Sequence, residues 1–169
     1  KGNIYLTWGK NTKRFIAKYD KNLSANWIKP WDSTYSYSID FDEASNIYVS
    51  GIRTVFLGGH ILQSFKLDSM GNILWHKEYL GSINTSFIKN KVDSNGDIIV
   101  LGITRAYEFS DSNDYALLKY SPDGDLLWVQ KERIVSYGYG QNSDFGIDSQ
   151  NNIYVVYGKP YNSNTQLDV

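Results

Sequence analysis

Apolar and polar residues alternate along much of the chain, and the alternation breaks at short polar clusters. Tyr35, Tyr37, Ile39 and Phe41 alternate with polar neighbours up to the cluster Asp42-Glu43-Ala44-Ser45-Asn46, and Ile47-Tyr48-Val49 follows at once. A period of two marks a strand with one face buried. Asp, Asn, Ser and Gly in the breaks are the residues that close tight turns, and Gly and Asn tolerate positive φ. The chain therefore reads as a succession of hairpins, with each leading Asp placed to accept bonds from the backbone amides of its own turn.

Two patterns recur. The first is Phe41-Asp42-Glu43-Ala44-Ser45-Asn46-Ile47-Tyr48-Val49-Ser50-Gly51, which returns as Val92-Asp93-Ser94-Asn95-Gly96-Asp97-Ile98-Ile99-Val100-Leu101-Gly102 and as Ile147-Asp148-Ser149-Gln150-Asn151-Asn152-Ile153-Tyr154-Val155; Asn3-Ile4-Tyr5-Leu6 is a truncated copy. The second is Lys66-Leu67-Asp68-Ser69-Met70-Gly71-Asn72-Ile73-Leu74-Trp75, which returns as Lys119 to Trp128 and, more loosely, as Lys18 to Trp27. Trp27 to Trp75 is 48 residues and Trp75 to Trp128 is 53. A period near 50 with two hairpins per repeat suits a four-stranded propeller blade, since such blades run about 40 to 50 residues.

The pattern Lys-apolar-Asp-x-x-Gly-Asn-apolar-Leu-Trp, followed after a gap by apolar-Asp-x-x-Gly-Asn-Ile-Tyr-Val-x-Gly, resembles the bacterial seven-bladed beta-propeller repeat family (SBBP-type repeats). The likeness covers nearly the whole chain and is best over residues 62 to 129. Leu23 stands where the turn usually has Gly, and Asn90 stands at an otherwise apolar inward position. The resemblance implies an all-β fold of antiparallel four-stranded β-propeller blades. With strands lettered A to D, the blades divide as 1–34 (B-C-D), 35–85, 86–142 and 143–169 (A-B). That is about 3.3 blades, and propellers close with four to eight. The expected partners are thus the remaining blades of a longer protein or a second copy. A start at Lys1 rather than Met fits a processed chain or a piece of one.

Composition adds exclusions. Seventeen Lys and Arg balance eighteen Asp and Glu for a net charge of −1, so no single-signed field favours nucleic acid or an anionic membrane. No apolar run approaches the ~20 residues of a membrane span. Without cysteine, disulfides, thiolate catalysis and Cys-built metal sites are excluded.

Chemistry-bearing patterns are sparse. His60 and His76 are the two histidines, and no metalloprotease helix motif, nucleophile elbow, phosphate loop or dinucleotide fingerprint occurs. Asp93-x-Asn95-x-Asp97 and Asp123-x-Asp125 hint at calcium, yet a calcium loop needs six or more oxygens, and hairpin turns explain the spacing better. Asp40 and Asp42, two apart on one strand, are a carboxylate pair with no further acid–base signal. Trp27, Trp75 and Trp128 suit packing between blades better than ligand stacking. Asp-x-x-Gly-x-x-Leu-Trp also resembles the blade motif of quinoprotein dehydrogenases, but no cofactor or metal ligand set accompanies it, and no cofactor is expected.

Tight turns join A to B and C to D. The longer B–C links (53–60, 104–113) and D–A links (31–34, 80–85, 133–142) gather at the opposite end. In and beside them lie Trp31, Tyr35, Arg53, His60, Tyr79, Arg105, Tyr107, Tyr137 and Tyr139, rich in the residue types of interface hot spots. The expected function is a non-catalytic binding or structural segment of a secreted or surface bacterial protein, engaging a protein or glycan through this face. The alternatives are part of a propeller enzyme whose catalytic residues lie outside this chain, and an architectural segment of a surface assembly.

Overall fold

A computed structural model of the chain describes residues 2–10, 13–31, 34–55, 59–81, 85–105, 112–135 and 143–156. These form four antiparallel sheets. Sheet I is β1 (Ile4–Lys10), β2 (Lys13–Tyr19) and β3 (Ala25–Trp31). Sheet II is β4 (Thr34–Phe41), β5 (Ile47–Thr54), β6 (His60–Leu67) and β7 (Ile73–Tyr79). Sheet III is β8 (Thr85–Val92), β9 (Ile98–Arg105), β10 (Ser112–Tyr120) and β11 (Leu126–Val135). Sheet IV is β12 (Asp144–Ile147) and β13 (Ile153–Val156). In every sheet, neighbours in sequence are neighbours in space. The expected hairpin order and all-β class are thus observed.

The tight turns share one geometry. In the turn from Asp68, the amide of Gly71 donates to Asp68 O (2.9 Å) and that of Asp68 to Asn72 O (2.9 Å). The Asp68 carboxylate accepts the amides of Met70 (2.9 Å) and Asn72 (2.8 Å). The fourth turn residue takes positive φ in all six such turns: Leu23, Ser45, Gly71, Gly96, Gly124 and Asn151. Where that residue is Leu, its Cβ crowds the following carbonyl at a cost of about 1–2 kcal/mol. Leu23 (φ 64°) is 70% exposed, so its side chain recovers little. Leu23→Gly should therefore stabilise the protein by about 1 kcal/mol, less the extra chain entropy of Gly; urea denaturation with no gain in midpoint would contradict this strain.

The sheets pack face to face in chain order. Ile16 of sheet I meets Ile47, Val49, Phe65 and Leu67 of sheet II, flanked by Tyr5, Trp27 and Ile39. Tyr48, Ile52 and Leu62 on the other face of sheet II meet Ile98, Val100, Ala116, Leu118 and Tyr120 of sheet III. Ile99, Leu101, Ile103 and Tyr115 then meet Phe145, Ile147, Ile153 and Val155 of sheet IV. Both faces of the inner strands β5 and β9 are buried, so these two read as near-continuous apolar runs, and successive residues go to different cores.

Two kinds of polar contact tie the layers together. Along the first strands, Asp40 Oδ2 accepts the Val92 amide (2.7 Å), Ser38 Oγ donates to Asn90 O (3.3 Å), and Lys89 pairs with Asp144. Farther across, Trp27 Nε1 and Lys18 Nζ donate to Ser69 O (both 3.3 Å). One repeat later, Trp75 Nε1 (2.9 Å) and Lys66 Nζ (3.0 Å) donate to Pro122 O. The Lys-to-Trp pattern is thus a clamp on the hairpin tip of the following sheet. Interlayer packing is thus observed for Trp27 and Trp75; Trp128 is 38% exposed and makes no such contact among the described residues.

Candidate functional site

An antiparallel meander sends its Asp- or Ser-headed turns to one end and its other links to the opposite end. Trp31 closes β3, Tyr35 is the second residue of β4, Arg53 is the second-last of β5, His60 opens β6, Tyr79 closes β7 and Arg105 closes β9. All six lie at the link end. Tyr107, Tyr137 and Tyr139 lie outside the described residues. Trp31, Arg53 and Arg105, expected in links, are strand residues instead. The ladder continues through them, pairing Arg14 with Trp31, Arg53 with Ile61 and Asn113 with Arg105, because a backbone group that finds a partner prolongs the strand.

Register decides which side chains share a surface. Arg53 lies on the sheet II face that looks toward sheet I, as do Phe65, His76 and Glu78. His60 and Tyr79 are on the reverse face, where Tyr79 packs against the core between sheets II and III. The sequence-derived residues on this sheet are therefore split, and Arg53 joins a cluster that the sequence reading missed. Arg53 Nε donates to Glu78 Oε1 (2.7 Å) and Nη2 to Glu78 Oε2 (3.0 Å), a two-pronged pair. The His76 ring stacks on Phe65, with centroids 4.1 Å apart and an interplanar angle of 3°. His76 Nε2 stands 3.7 Å from Glu78 Oε1. Counting strand register back from the two flanking turns would have found the Arg53–Glu78 diagonal. On the other face, His60 Nδ1 is 3.2 Å from Thr54 Oγ1.

The electrostatics follow from this arrangement. The bonds from Arg53 hold the Glu78 carboxyl below its ordinary range. Burial against Phe65, aided by the Arg53 charge and opposed by Glu78, lowers the His76 imidazole. A histidine lowered in the folded state takes up its proton more readily when unfolded, so its contribution to stability is present above the unfolded value of about 6.5 and falls away as pH drops through the folded value. Between pH 7 and 5, wild-type stability should therefore fall more steeply than that of His76→Phe, which keeps a ring over Phe65. Urea unfolding over that pH series checks this; parallel curves would refute it. The loss tied to Glu78 begins only below about pH 4.5.

Several other carboxylates are engaged in holding the fold. Asp40 caps Val92, and Asp42 caps its own turn and meets the Tyr48 hydroxyl (3.3 Å). Asp93 Oδ1 accepts the Asn95 and Asp97 amides, and Lys119 Nζ lies 2.8 Å from Asp93 Oδ2 and 2.9 Å from Asp97 Oδ2. Burial alone would lower the Lys119 ammonium, but bonds to the two carboxylates outweigh it and raise its pKa. An ammonium thus stands where the Asp93-x-Asn95-x-Asp97 spacing hinted at calcium. Among the described residues, no group of three or more His, Asp or Glu is placed to hold a metal. No helix among them is long and apolar enough to cross a membrane.

At the link end a partly exposed, planar guanidinium–carboxylate pair thus stands beside a stacked imidazole. No family model matches the chain, and no curated protein matches it.

Proposed function

We propose that the chain is a run of β-propeller blades that acts as a non-catalytic binding or structural segment of a secreted or surface-exposed bacterial protein, taking a protein or glycan partner at the link end of its sheets. The observation that carries this reading is the division of labour between the two sheet ends. At the turn end the Asp carboxylates are spent on capping and cross-sheet bonds, as at Asp42, Asp68, Asp93 and Asp148. At the link end the Arg53–Glu78 pair is about one third exposed, in geometry suited to planar polar groups. The repeated Lys–Trp clamp supports the blade reading, because it relates sheets I, II and III by one recurring step.

A glycan array and a panel of surface proteins would identify the ligand. For the ligand found, Arg53→Ala, Trp31→Ala and Arg105→Ala should include at least one loss of about tenfold in affinity, the size of a hot spot. Met70→Ala and Glu43→Ala, at the turn end, should leave it unchanged. The reverse pattern would move the site to the turns, and turnover of the bound ligand would make the protein an enzyme.

A further inference from the structure

Arg53 and Glu78 are not on adjacent strands. Arg53 is on β5 and Glu78 on β7, and β6 runs between them. On the face they share, β6 presents Ile61 beside Arg53 and Gln63 beside Glu78. The ion pair therefore crosses β6 as a strap, and both residues along its path are buried, Ile61 at 1% and Gln63 at 2% exposure. Burial suits Ile61. It does not suit Gln63, whose Nε2 has no hydrogen-bond partner among the described residues. Gly51, the neighbour of Gln63 on β5, has no side chain to offer one. A buried amide left unpaired has given up its bonds to water without compensation, so Gln63 costs the fold stability that an apolar side chain of like size would not.

We propose that this strap covers a subsite for the carboxylate of an acidic sugar, which displaces the Glu78 carboxylate from Arg53 and gives the Gln63 amide the acceptor it lacks. Arg53 already holds a carboxylate through Nε and Nη2 (2.7 and 3.0 Å), so the guanidinium is presented in the geometry that such a group needs. Displacement is easy, because the two side chains are 35% and 31% exposed and an exposed ion pair is worth little. Beside Glu78, the His76 side chain is 39% exposed and its ring lies flat on Phe65. That ring favours a sugar over an acidic peptide. A pyranose can lay its C–H groups against an aromatic face. Its carboxylate is also fixed to the ring, so binding freezes fewer torsions than capture of an Asp or Glu side chain would. The proposal rests on the link-end reading above and narrows it to one ligand class.

The test uses the whole chain, with D-glucuronate as ligand, D-glucose as its uncharged counterpart and N-acetylaspartate as a carboxylate on a flexible stem. A ligand of about 13 heavy atoms binds in the millimolar range. The Gln63 side-chain amide resonances should shift saturably with glucuronate and stay in place with glucose. Gln63→Leu should weaken glucuronate binding about fivefold, the worth of one hydrogen bond. The same variant should raise the urea midpoint, a combination that a merely structural residue would not show. Glu78→Gln removes the competing charge, keeps the side chain's shape and should tighten binding about two- to fivefold. The proposal is overturned by no saturable shift up to about 50 mM glucuronate, by unchanged affinity in Gln63→Leu, by weaker binding in Glu78→Gln, or by equal binding of N-acetylaspartate. A neutral glycan or a protein held through Trp31 or Arg105, with no response to glucuronate, would also overturn it while leaving the link-end reading in place. Glucuronate binding at Gln63 with no partner on the array or panel would support it and remove the wider reading instead.

Discussion

Asp93→Ala is expected to lower unfolding stability by about 3 kcal/mol, near the bottom of the range for removing one partner of a buried ion pair. The Asp93 side chain is 1% exposed. One oxygen accepts two turn amides, from Asn95 (2.9 Å) and Asp97 (3.0 Å), and the other accepts Lys119. Alanine strands both amides and leaves the ammonium to Asp97 alone, which is why the loss stays at the low end. Asp93→Asn keeps an acceptor for the turn and should lose about half as much, since the charge-assisted bond is the part removed. Asp68→Ala and Asp148→Ala remove the same turn cap at exposed sites, and both should cost less than Asp93→Ala. Urea denaturation of the four variants decides it, and equal losses at Asp93 and Asp68 would mean that the turn, not the buried pair, carries the energy.

Trp75→Ala should cost about 3–5 kcal/mol, the usual range for truncating a large packed aromatic. Its ring lies edge-on to Tyr48 (6.0 Å, 68°) and tilted against Tyr120 (6.4 Å), and its N–H holds Pro122 O. The turn backbone is laid directly on the indole, since a Cβ added to Gly124 would stand 3.0 Å from Trp75 Cδ2. Trp75→Phe should retain most of the packing and lose about 1 kcal/mol for the missing bond. Trp128→Ala, at the equivalent repeat position but 38% exposed, should cost well under half of the Trp75 value. Thermal or urea unfolding showing equal penalties at the two tryptophans would remove the case that the clamp stabilises through its neighbouring sheet.

Both contrasts set residues of like local role against each other, a turn-heading Asp or a Trp nine residues after Lys, and that likeness is all that spacing can deliver. The hairpins, their turn caps and the nine-residue step from Lys to Trp were legible because their chemistry is local: an Asp reaches amides two and four residues on, and alternation fixes each strand. The departure at Leu23 was legible for the same reason, and the structure gives it the positive φ that the turn requires. Asn90 was also legible as out of pattern, though not that its Nδ2 would reach Tyr48 O in the neighbouring sheet (3.4 Å). At the link end the sequence grouped residues by nearness to strand ends, while the pleat sent Arg53 to one face and His60 and Tyr79 to the other.

The amino-acid sequence by itself determined that this protein is a series of β-hairpins repeating near every 50 residues, because turn chemistry and period-two patterning are properties of adjacent residues. The tertiary structure decided which Asp is buried, which Trp is clamped and which Lys turns back onto carboxylates. Asp93 meets Lys119 across 26 residues and Trp75 meets Pro122 across 47, and in the clamps the partner is a backbone carbonyl, which every residue carries and no sequence pattern can mark.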